Sequence, residues 1–410
     1  MSILAPILTR RGWSSSPLGR LAPRIQRAER PDLPTLSVFL GEGVVPRASR
    51  EDNHNRLGED LARYLVVQPG DIVFNKLRTW QGGLGVSRYE GIVSPAYFVC
   101  RPRKCMEPRY LHYVLRSAPY LQELTRISKW MPPSQFDISW DQLRTLPVPQ
   151  PPLSDQCAIA DYLDAETARI DALIEKKRRI VELLEEKRAS LAASLTNPLG
   201  CEYLALRHYS ASAADGPFGS ALKTEHYSDG GARVIRLGNI GVARWRDLAS
   251  VFIPLDYWAT LPRHHAERGD VVIAGLGDEG QPVGRSCVVP IEGPALVKAD
   301  CYRVRVHRDL AEPRFLAWYL SSPRGLGESE RRADGSTRPR LTLSKALALQ
   351  VPHLEIQAQR TIADRLDTAS AKIDILATRI VGQIGLLAER RQALITAAVT
   401  GELAIPGIAA

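Results

Sequence analysis

The sequence predicts an α+β protein: two mixed α/β modules joined by two long antiparallel coiled-coil helices, arranged as a tandem repeat with approximate two-fold symmetry. Three observations predict it. A stretch of nearly fifty residues occurs twice at an offset of 203. Each copy carries apolar residues in a 4-3 alternation, the seam of a coiled coil. The block before each copy runs through the same order of β-rich segments, helix and proline-bearing exit. A chain of 410 residues is too long for one ordinary core, and length alone suggests two to four domains.

The repeat is exact in register. Val148-Pro149 falls on Val351-Pro352, Gln156 on Gln359, Asp161 on Asp364, Asp164 on Asp367 and Asp171 on Asp374. In the first copy the seam series are Leu163, Ile170, Lys177, Leu184, Leu191 and Thr167, Ile174, Val181, Arg188, Leu195. In the second they are Leu366, Ile373, Ile380, Leu387, Leu394 and Ser370, Ala377, Ile384, Arg391, Ala398. An amphipathic helix needs a partner for its apolar stripe, and each copy supplies the other's. Forty residues at ~1.5 Å each give ~60 Å of helix. The short linkers dictate direction: the second helix must start near the end of the first, so the two run antiparallel with one block at each end, a dumbbell with neighbouring termini. The expected boundaries are 1–152 and 198–352 for the modules, 153–197 for the first helix, and 353–410 for the second helix and tail.

In the first block QPGDIVFNKL, GGLGVSRY and GIVSPAYFVCR read as short strands between turns. A helix is expected at about Pro108–Thr125, then a loop, WMPPSQFD, and a final strand, ISWDQLRTLPVPQPPL, closed by prolines that fix an extended exit. The second block repeats the order with HAERGDVVIAGLGDEG, GRSCVVP and ALVKADCYRVRV as strands, Pro313–Ser322 as the helix, and Leu341–Pro352 leading out.

Charge is sorted along the chain. The net charge is +9 and the pI about 9.3. The balance is +8 for 1–152, −2 for 153–197, +3 for 198–352 and 0 for 353–410. The positive excess lies in the modules, which favours a polyanionic partner there. The six cysteines form no C-x-x-C pair and no histidine cluster has metal-ligand spacing, so isolated reduced thiols and no metal are expected. The apolar run in MSILAPILTRRGW is too short for a signal peptide and no window approaches a membrane span. The expected location is the cytoplasm.

The candidate DNA contacts are polar and basic loops, because lysine and arginine take phosphates and guanine while asparagine and glutamine read adenine edges. In the first module they are Arg47, Asn53, Asn55 and Arg56 in one loop, Lys76, Arg78 and Gln81 between two strands, and Lys129 and Gln135 in a third stretch. In the second they are Lys223, then Arg236 and Asn239, then Arg331, Arg332, Arg338 and Arg340 in a loop equivalent in order to 129–136. For each, the plain alternative is a solvated loop or a structural ion pair. Trp130 reads as packing, and His264-His265 as an ordinary surface pair.

Gly275-Leu276-Gly277-Asp278-Glu279-Gly280 spells G-x-G-x-x-G after a strand, with Asp300 twenty residues past the last glycine. Dinucleotide binding would require a helix to begin at the third glycine. Pro282, Gly284 and another β-rich run follow instead, so the segment reads as a hairpin connection and no cofactor is expected. There is no P-loop, no Asn/Asp-Pro-Pro-aromatic tetrapeptide and no nucleophile with recognisable context.

With these pieces in place the chain resembles the specificity subunits of type I restriction-modification systems. The resemblance spans essentially its whole length. It is carried by PVPQPPLSDQCAIADYLDAETARID and VPHLEIQAQRTIADRLDTASAKID, with GDIVFNKLRTWQGGLGVSRYEGIVSPAYFV, DGPFGSALKTEHYSDGGARVIRLGNI and ALITAAVTGEL. It implies two target-recognition domains reading a two-part, asymmetric double-stranded DNA site. It also implies no catalysis of the chain's own, and recruitment of two methyltransferase subunits and, in the full complex, two restriction-translocase subunits. The outer helix faces would dock the methyltransferases. The competing readings are a coiled-coil scaffold whose basic blocks bind nucleic acid or acidic proteins without a role in DNA modification, and an enzyme using the glycine segment with a nicotinamide or S-adenosyl cofactor.

Overall fold

The computed structural model describes residue 4 and residues 12–49, 60–131, 135–198, 200–278, 280–335 and 337–408. The chain forms two compact units, Met1–Arg178 with Gly382–Ala410, and Arg179–Val381.

The first unit is built on a four-stranded antiparallel sheet. Its strands are β1 (Ser14–Pro17), β2 (Arg24–Ile25), β3 (Leu36–Phe39), β4 (Gly43–Pro46), β5 (Leu65–Val67), β6 (Ile72–Asn75), β7 (Leu84–Val86), β8 (Gly91–Val93) and β9 (Tyr97–Cys100). The sheet order is β2-β9-β6-β7, and β3-β4 and β5-β8 form small ribbons. β6 and β9 are buried on both faces, so IVF and FVC read as unbroken apolar runs rather than alternations. Ile72, Phe74, Phe98 and Cys100 face the helices. Val73 and Val99 face the ribbons, with Val38, Val44 and Val67. A short helix α1 (Leu18–Leu21) precedes the sheet.

What was expected as one helix after the sheet is two. α2 (Pro108–Arg116) and α3 (Ala118–Ile127) are divided at Ser117, whose backbone is extended (ψ 152°). Pro119 in the first turn of α3 explains the break: the apolar spacing runs through, but proline cannot bond back into the preceding turn. The expected loop WMPPSQFD contains a hairpin, β10 (Lys129–Met131) with β11 (Gln135–Asp137). The expected final strand begins instead with a helix, α4 (Trp140–Arg144), started by a capping box of Ser139 and Gln142. Only β12 (Pro147–Gln150), paired with β1, remains extended. It leads into α5 (Leu153–Thr196).

The second unit repeats this plan with more sheet. β13 (Tyr203–Ala205) and β14 (Ser210–Ala214) precede β15 (Ala232–Ile235), β16 (Phe252–Ile253), α6 (Leu255–Ala259), β17 (His265–Ala266), β18 (Val271–Ala274), β19 (Ser286–Val288), β20 (Ala295–Val297) and β21 (Cys301–Val306). β14-β21-β18-β19 is the counterpart of the first unit's sheet. Its other face is covered by a second four-stranded sheet, β16-β15-β20-β17, in which β15 and β20 run parallel. Here too the helix is followed by another: α7 (Pro313–Leu320), then α8 (Pro323–Arg332), within a stretch expected to be loop. α9 (Leu343–Leu347) and β22 (Gln350–Pro352) lead into α10 (Ile356–Val399). The glycine segment joins β18 to its antiparallel neighbour β19 with no helix between them, as expected.

The long helices pair antiparallel within each unit. In the first, Arg391 Nε lies 3.0 Å from Asp171 and Lys177 Nζ donates to Gln383 at 2.7 Å. Ile395, Ala398 and Val399 pack with Ile159 and Leu163. In the second, Arg188 pairs with Asp374, and Ala192, Leu191 and Leu195 pack with Leu366 and Ile362. At offset 203, Arg188–Asp374 and Arg391–Asp171 are the same ion pair made twice. Of the expected seam residues, Leu163, Ile170, Ile174, Leu366 and Ile373 are buried, and Val181, Leu184, Leu191, Ile380, Ile384, Leu387 and Leu394 are half-buried.

Candidate nucleic-acid interface

Each unit fixes its module to its long helix by the same joint. Pro108 opens α2 behind Glu107, whose carboxylate accepts from Arg109 N. The Arg109 guanidinium then holds Glu107, Asp161 and Asp164, each at 2.8 Å. Fully buried Gln156 accepts from Glu107 N (2.9 Å) and donates to the carbonyls of Cys105 (3.1 Å) and Pro151 (2.9 Å). The second unit repeats this atom for atom. Arg314 holds Glu312, Asp364 and Asp367 at 2.8, 2.8 and 2.9 Å. Gln359 accepts from Glu312 N and donates to Leu310 O and Leu354 O. Tyr113 donates to Asp164 at 2.6 Å where Trp318 donates to Asp367 at 2.8 Å. Hydrogen bonds to Glu107, Asp161 and Asp164 hold the Arg109 pKa above its ordinary value despite partial burial. The glutamines and aspartates matched in the sequence repeat, and PRYL and PRFL matched at 205. The signal was there; the joint it encodes was not read from it.

A second shared device stiffens the sheets. Buried Asp71 accepts from Gln68 N and pairs with Arg101 at 2.7 Å. Asp270 accepts from Glu267 N and pairs with Arg305 at 2.9 Å.

The candidate contacts of the first module gather at the exit of β6. Asn75 Oδ1 accepts from Leu77 N, Arg78 O from Gly83 N, and Leu77 O from Trp80 Nε1, so the loop is held by its own backbone. Lys76 Nζ lies 4.8 Å above the Phe98 ring, while Arg78 and Gln81 project into solvent. Trp80 packs on Phe136 (4.8 Å between ring centroids) and Phe136 on Trp130 (4.9 Å). This ladder joins the β10–β11 hairpin, with exposed Lys129, to the 75–81 loop. Trp130 packs, as expected, yet remains half exposed (50%). Burial raises the Tyr97 pKa, and a backbone hydrogen bond at Val38 and the charges of Arg47 and Arg78 act against that rise. Arg78 makes no ion pair among the described residues, so its donors are available to phosphate or base edges. Gln135 sits opposite Met131 on β11. Asn53, Asn55 and Arg56 lie outside the described residues.

The second module distributes its candidates differently. Gly275 and Gly277 follow β18, and Gly275 is pressed against Tyr302, where a Cβ would come within 2.4 Å of the ring. The positive charge comes from the neighbouring loop instead. Arg340 pairs with Asp300 at 2.8 Å and lies 5.7 Å from the exposed Phe218 ring, and Arg338 is exposed. Lys223 is exposed beside Glu225 (3.6 Å). Arg236 donates to Ala249 O at 2.8 Å. Asn239 is 1% exposed and committed to the turn, accepting from Arg236 N and donating to Arg246 O. Arg331 and Arg332 are not in the loop with Arg338 and Arg340: they form the last turn of α8, where Arg332 pairs with Glu328 at 2.9 Å. His264 and His265 are not a plain surface pair. His264 bonds the Asp215 carbonyl, and His265 stacks on Trp258 at 3.8 Å and bonds its carbonyl. Among the described residues no cluster of His, Cys, Asp or Glu could hold a metal, and no helix is long and apolar enough to cross a membrane.

No protein-family model matches the chain. It is 21% identical over 362 residues to the type I restriction enzyme MjaVIII specificity subunit of Methanocaldococcus jannaschii, covering 82% of this chain and 81% of the relative. It is 22% identical over 425 residues to the StySPI specificity subunit of Salmonella potsdam, covering 96% and 89%. Over most of its length, then, the chain is similar to type I specificity subunits. Its fold agrees: a chain from a structure of a type I R-M system superposes with a TM-score of 0.74 at 18% identity, covering 96% of this chain and 99% of that one. The HsdS subunit of Thermoanaerobacter tengcongensis gives 0.50 at 18% identity, covering 96% and 98%. The chain shares the fold of these structures, and its two modules differ from each other where their exposed cations lie.

Proposed function

We propose that this chain is the DNA-specificity subunit of a type I restriction-modification complex, reading a bipartite asymmetric site with one half for each module. The observation that carries the reading is the contrast within the repeat: the two joints share the same glutamate, arginine, glutamine and pair of aspartates, while the loops at the exits of β6 and β18 present different side chains. Two readers fixed to a common frame suit two different half-sites, and their dissimilarity suits an asymmetric target. Exposed Arg78, Gln81 and Lys129 in the first module, and Arg338 and Arg340 in the second, are the contacts to bases and phosphates. Methyl transfer and cleavage reside in other chains. The repeated helices offer equivalent faces to two methyltransferase subunits, and two restriction subunits complete the assembly.

Genome-wide mapping of adenine methylation in cells with and without this gene tests the proposal. The expected motif has a few defined bases on each side of an undefined spacer of fixed length, and it disappears on deletion. A continuous motif, or none while the partner genes are active, refutes it. The helices are the spacer: four residues inserted near Glu186, about one turn and ~6 Å, lengthen the gap and leave both half-sites unchanged.

A further inference from the structure

The two modules part company beneath α8. In the first, Tyr120 of α3 is fully enclosed and donates to the carbonyl of Pro147, the first residue of β12, at 2.8 Å. At offset 205 the residue matching Tyr120 is Gly325, and at 203 the residue matching Pro147 is Gln350. No side chain fits at Gly325, because a Cβ would come within 2.4 Å of the Tyr319 carbonyl. Next to Gly325, the second module has a cleft of about 520 Å³ lined by Tyr203, Tyr319, Arg324, Glu328, Arg331, Arg332 and Gln350, the last being the counterpart of Pro147.

The lining is cationic and its donors exceed its acceptors. Three guanidiniums face one carboxylate. Glu328 is used by Arg332 (2.9 Å) and by Gln350 N (3.2 Å). Arg324 lies 4.5 Å over the Tyr203 ring with one nitrogen on Asn197 Oδ1, which also accepts from the Tyr203 hydroxyl. Arg331 makes no ion pair among the described residues. Tyr319 is 1% exposed, and among the described residues its buried hydroxyl has no hydrogen-bond acceptor. The Arg324 guanidinium stands beside it but can only donate, so the hydroxyl hydrogen is left without a partner there. A buried hydroxyl without an acceptor costs stability, and an oxyanion entering this cleft would supply one.

We infer that the cleft between α8 and β22 binds a phosphate group, with Tyr319, Arg324 and Arg331 as its donors. The phosphate is either free or part of a DNA backbone. This inference goes beyond the reading of the chain as a specificity subunit, and a phosphate titration stands whether or not that reading does.

The test uses the full-length chain and inorganic phosphate, titrated calorimetrically at constant ionic strength. The wild type is expected to bind. Tyr319→Phe and Arg331→Ala are each expected to weaken binding about tenfold, the scale of a lost charge-assisted hydrogen bond. Arg268→Ala, an exposed arginine paired with Glu292 elsewhere in the unit, is expected to change nothing. Circular dichroism and melting temperature establish that the variants are folded. Arg331 is exposed, so its truncation keeps the test decisive should Tyr319→Phe prove unstable. Duplex binding between 50 and 200 mM salt separates the sources. If the phosphate belongs to DNA, Arg331→Ala also lowers duplex affinity and reduces the salt slope by about one. If it is free, phosphate binding falls and duplex affinity holds. Absence of phosphate binding together with unchanged duplex affinity in both variants overturns the inference, as does an equal loss in Arg268→Ala.

Discussion

The first and second modules are alike where they meet their long helices and unlike at their exposed corners. Glu107-Arg109-Gln156-Asp161-Asp164 and Glu312-Arg314-Gln359-Asp364-Asp367 make the same bonds, and the three arginine contacts of one joint match those of the other to within 0.1 Å. At the sheet exits, by contrast, Lys76 and Arg78 stand where the second module has Gly275 and Gly277, and its cations move to Arg338 and Arg340. The difference teaches which parts of a duplicated module carry orientation and which carry reading. A joint must hold one geometry for any target, so its hydrogen bonds are fully specified. A reading loop need only present donors, so its residues are free to differ.

The largest effect expected from this comparison is at the buried glutamines. Gln156→Leu removes one acceptor and two donors from enclosed backbone groups, at about 1–3 kcal/mol for each group left unpaired, and should cost roughly 3–5 kcal/mol in denaturant unfolding. Gln359→Leu should cost the same in the other unit. If one substitution is neutral, the joints are not equivalent in energy whatever their geometry.

The seam pairs come next, and here the copies are predicted to differ. Arg188 has only 7% of its side chain exposed, against 30% for Arg391. Arg244 also reaches Asp374, at 3.2 Å. Asp374→Ala therefore leaves a buried guanidinium beside another cation with only the longer contact to Glu185 (3.6 Å) among the described residues, and should cost about 2 kcal/mol. Asp171→Ala, on the more exposed copy, should cost under about 1 kcal/mol. Equal losses would mean that the Arg188 environment admits water as freely as that of Arg391.

The smallest effect is one of pH, and its sign differs between the units. Burial, reinforced by the charges of Arg116 and Arg391, pushes the His112 pKa down to about 3. The unfolded histidine titrates near 6.5, so its contribution is fully present above that pH and is lost as pH falls toward 3. Burial, with Asp300 nearby, pushes the Asp215 pKa up to about 6. The folded carboxyl then takes its proton before the unfolded one does, and stability is gained as pH falls from 6 toward 4. From pH 7 to 5, hydrogen exchange corrected for intrinsic rates should show protection falling around α2 and rising around β21, each by on the order of 1 kcal/mol. Parallel changes in both units would show that these two groups do not govern the response.

The repeat and its period were legible in the sequence because dozens of residues vote for them together, and no single substitution hides them. The both-sides-buried strands were legible for the same reason. The division at Ser117 was not: the apolar spacing of RYLHYVLRSAPYLQEL continues through it, although Pro119 marked it. α4 and α9 were hidden in proline-rich exits, and only the Ser139 and Thr342 caps announced them. At the candidate site the sequence located the 75–81 and 338–340 loops by composition. It could not separate Arg331 and Arg332 from Arg338 and Arg340, because a helix end and a loop share one basic run. Nor could it tell that Asn239 is spent on its own turn. Both depend on where the backbone goes, and periodicity does not encode that.

The first unit closes only with residues from the far end of the chain. Ile395, Ala398, Val399 and Ile405 complete the core that contains Leu18, Tyr110 and Leu163, whereas residues 179–381 form a continuous unit. On the ribosome, at about 5–20 residues per second, the module made first waits roughly 10–40 s for its last pieces. The second module has everything it needs before then. During that interval the apolar flank of the early α5 is uncovered, a window in which chaperones or a newly made partner can reach it. The segment translated first is the last to be finished.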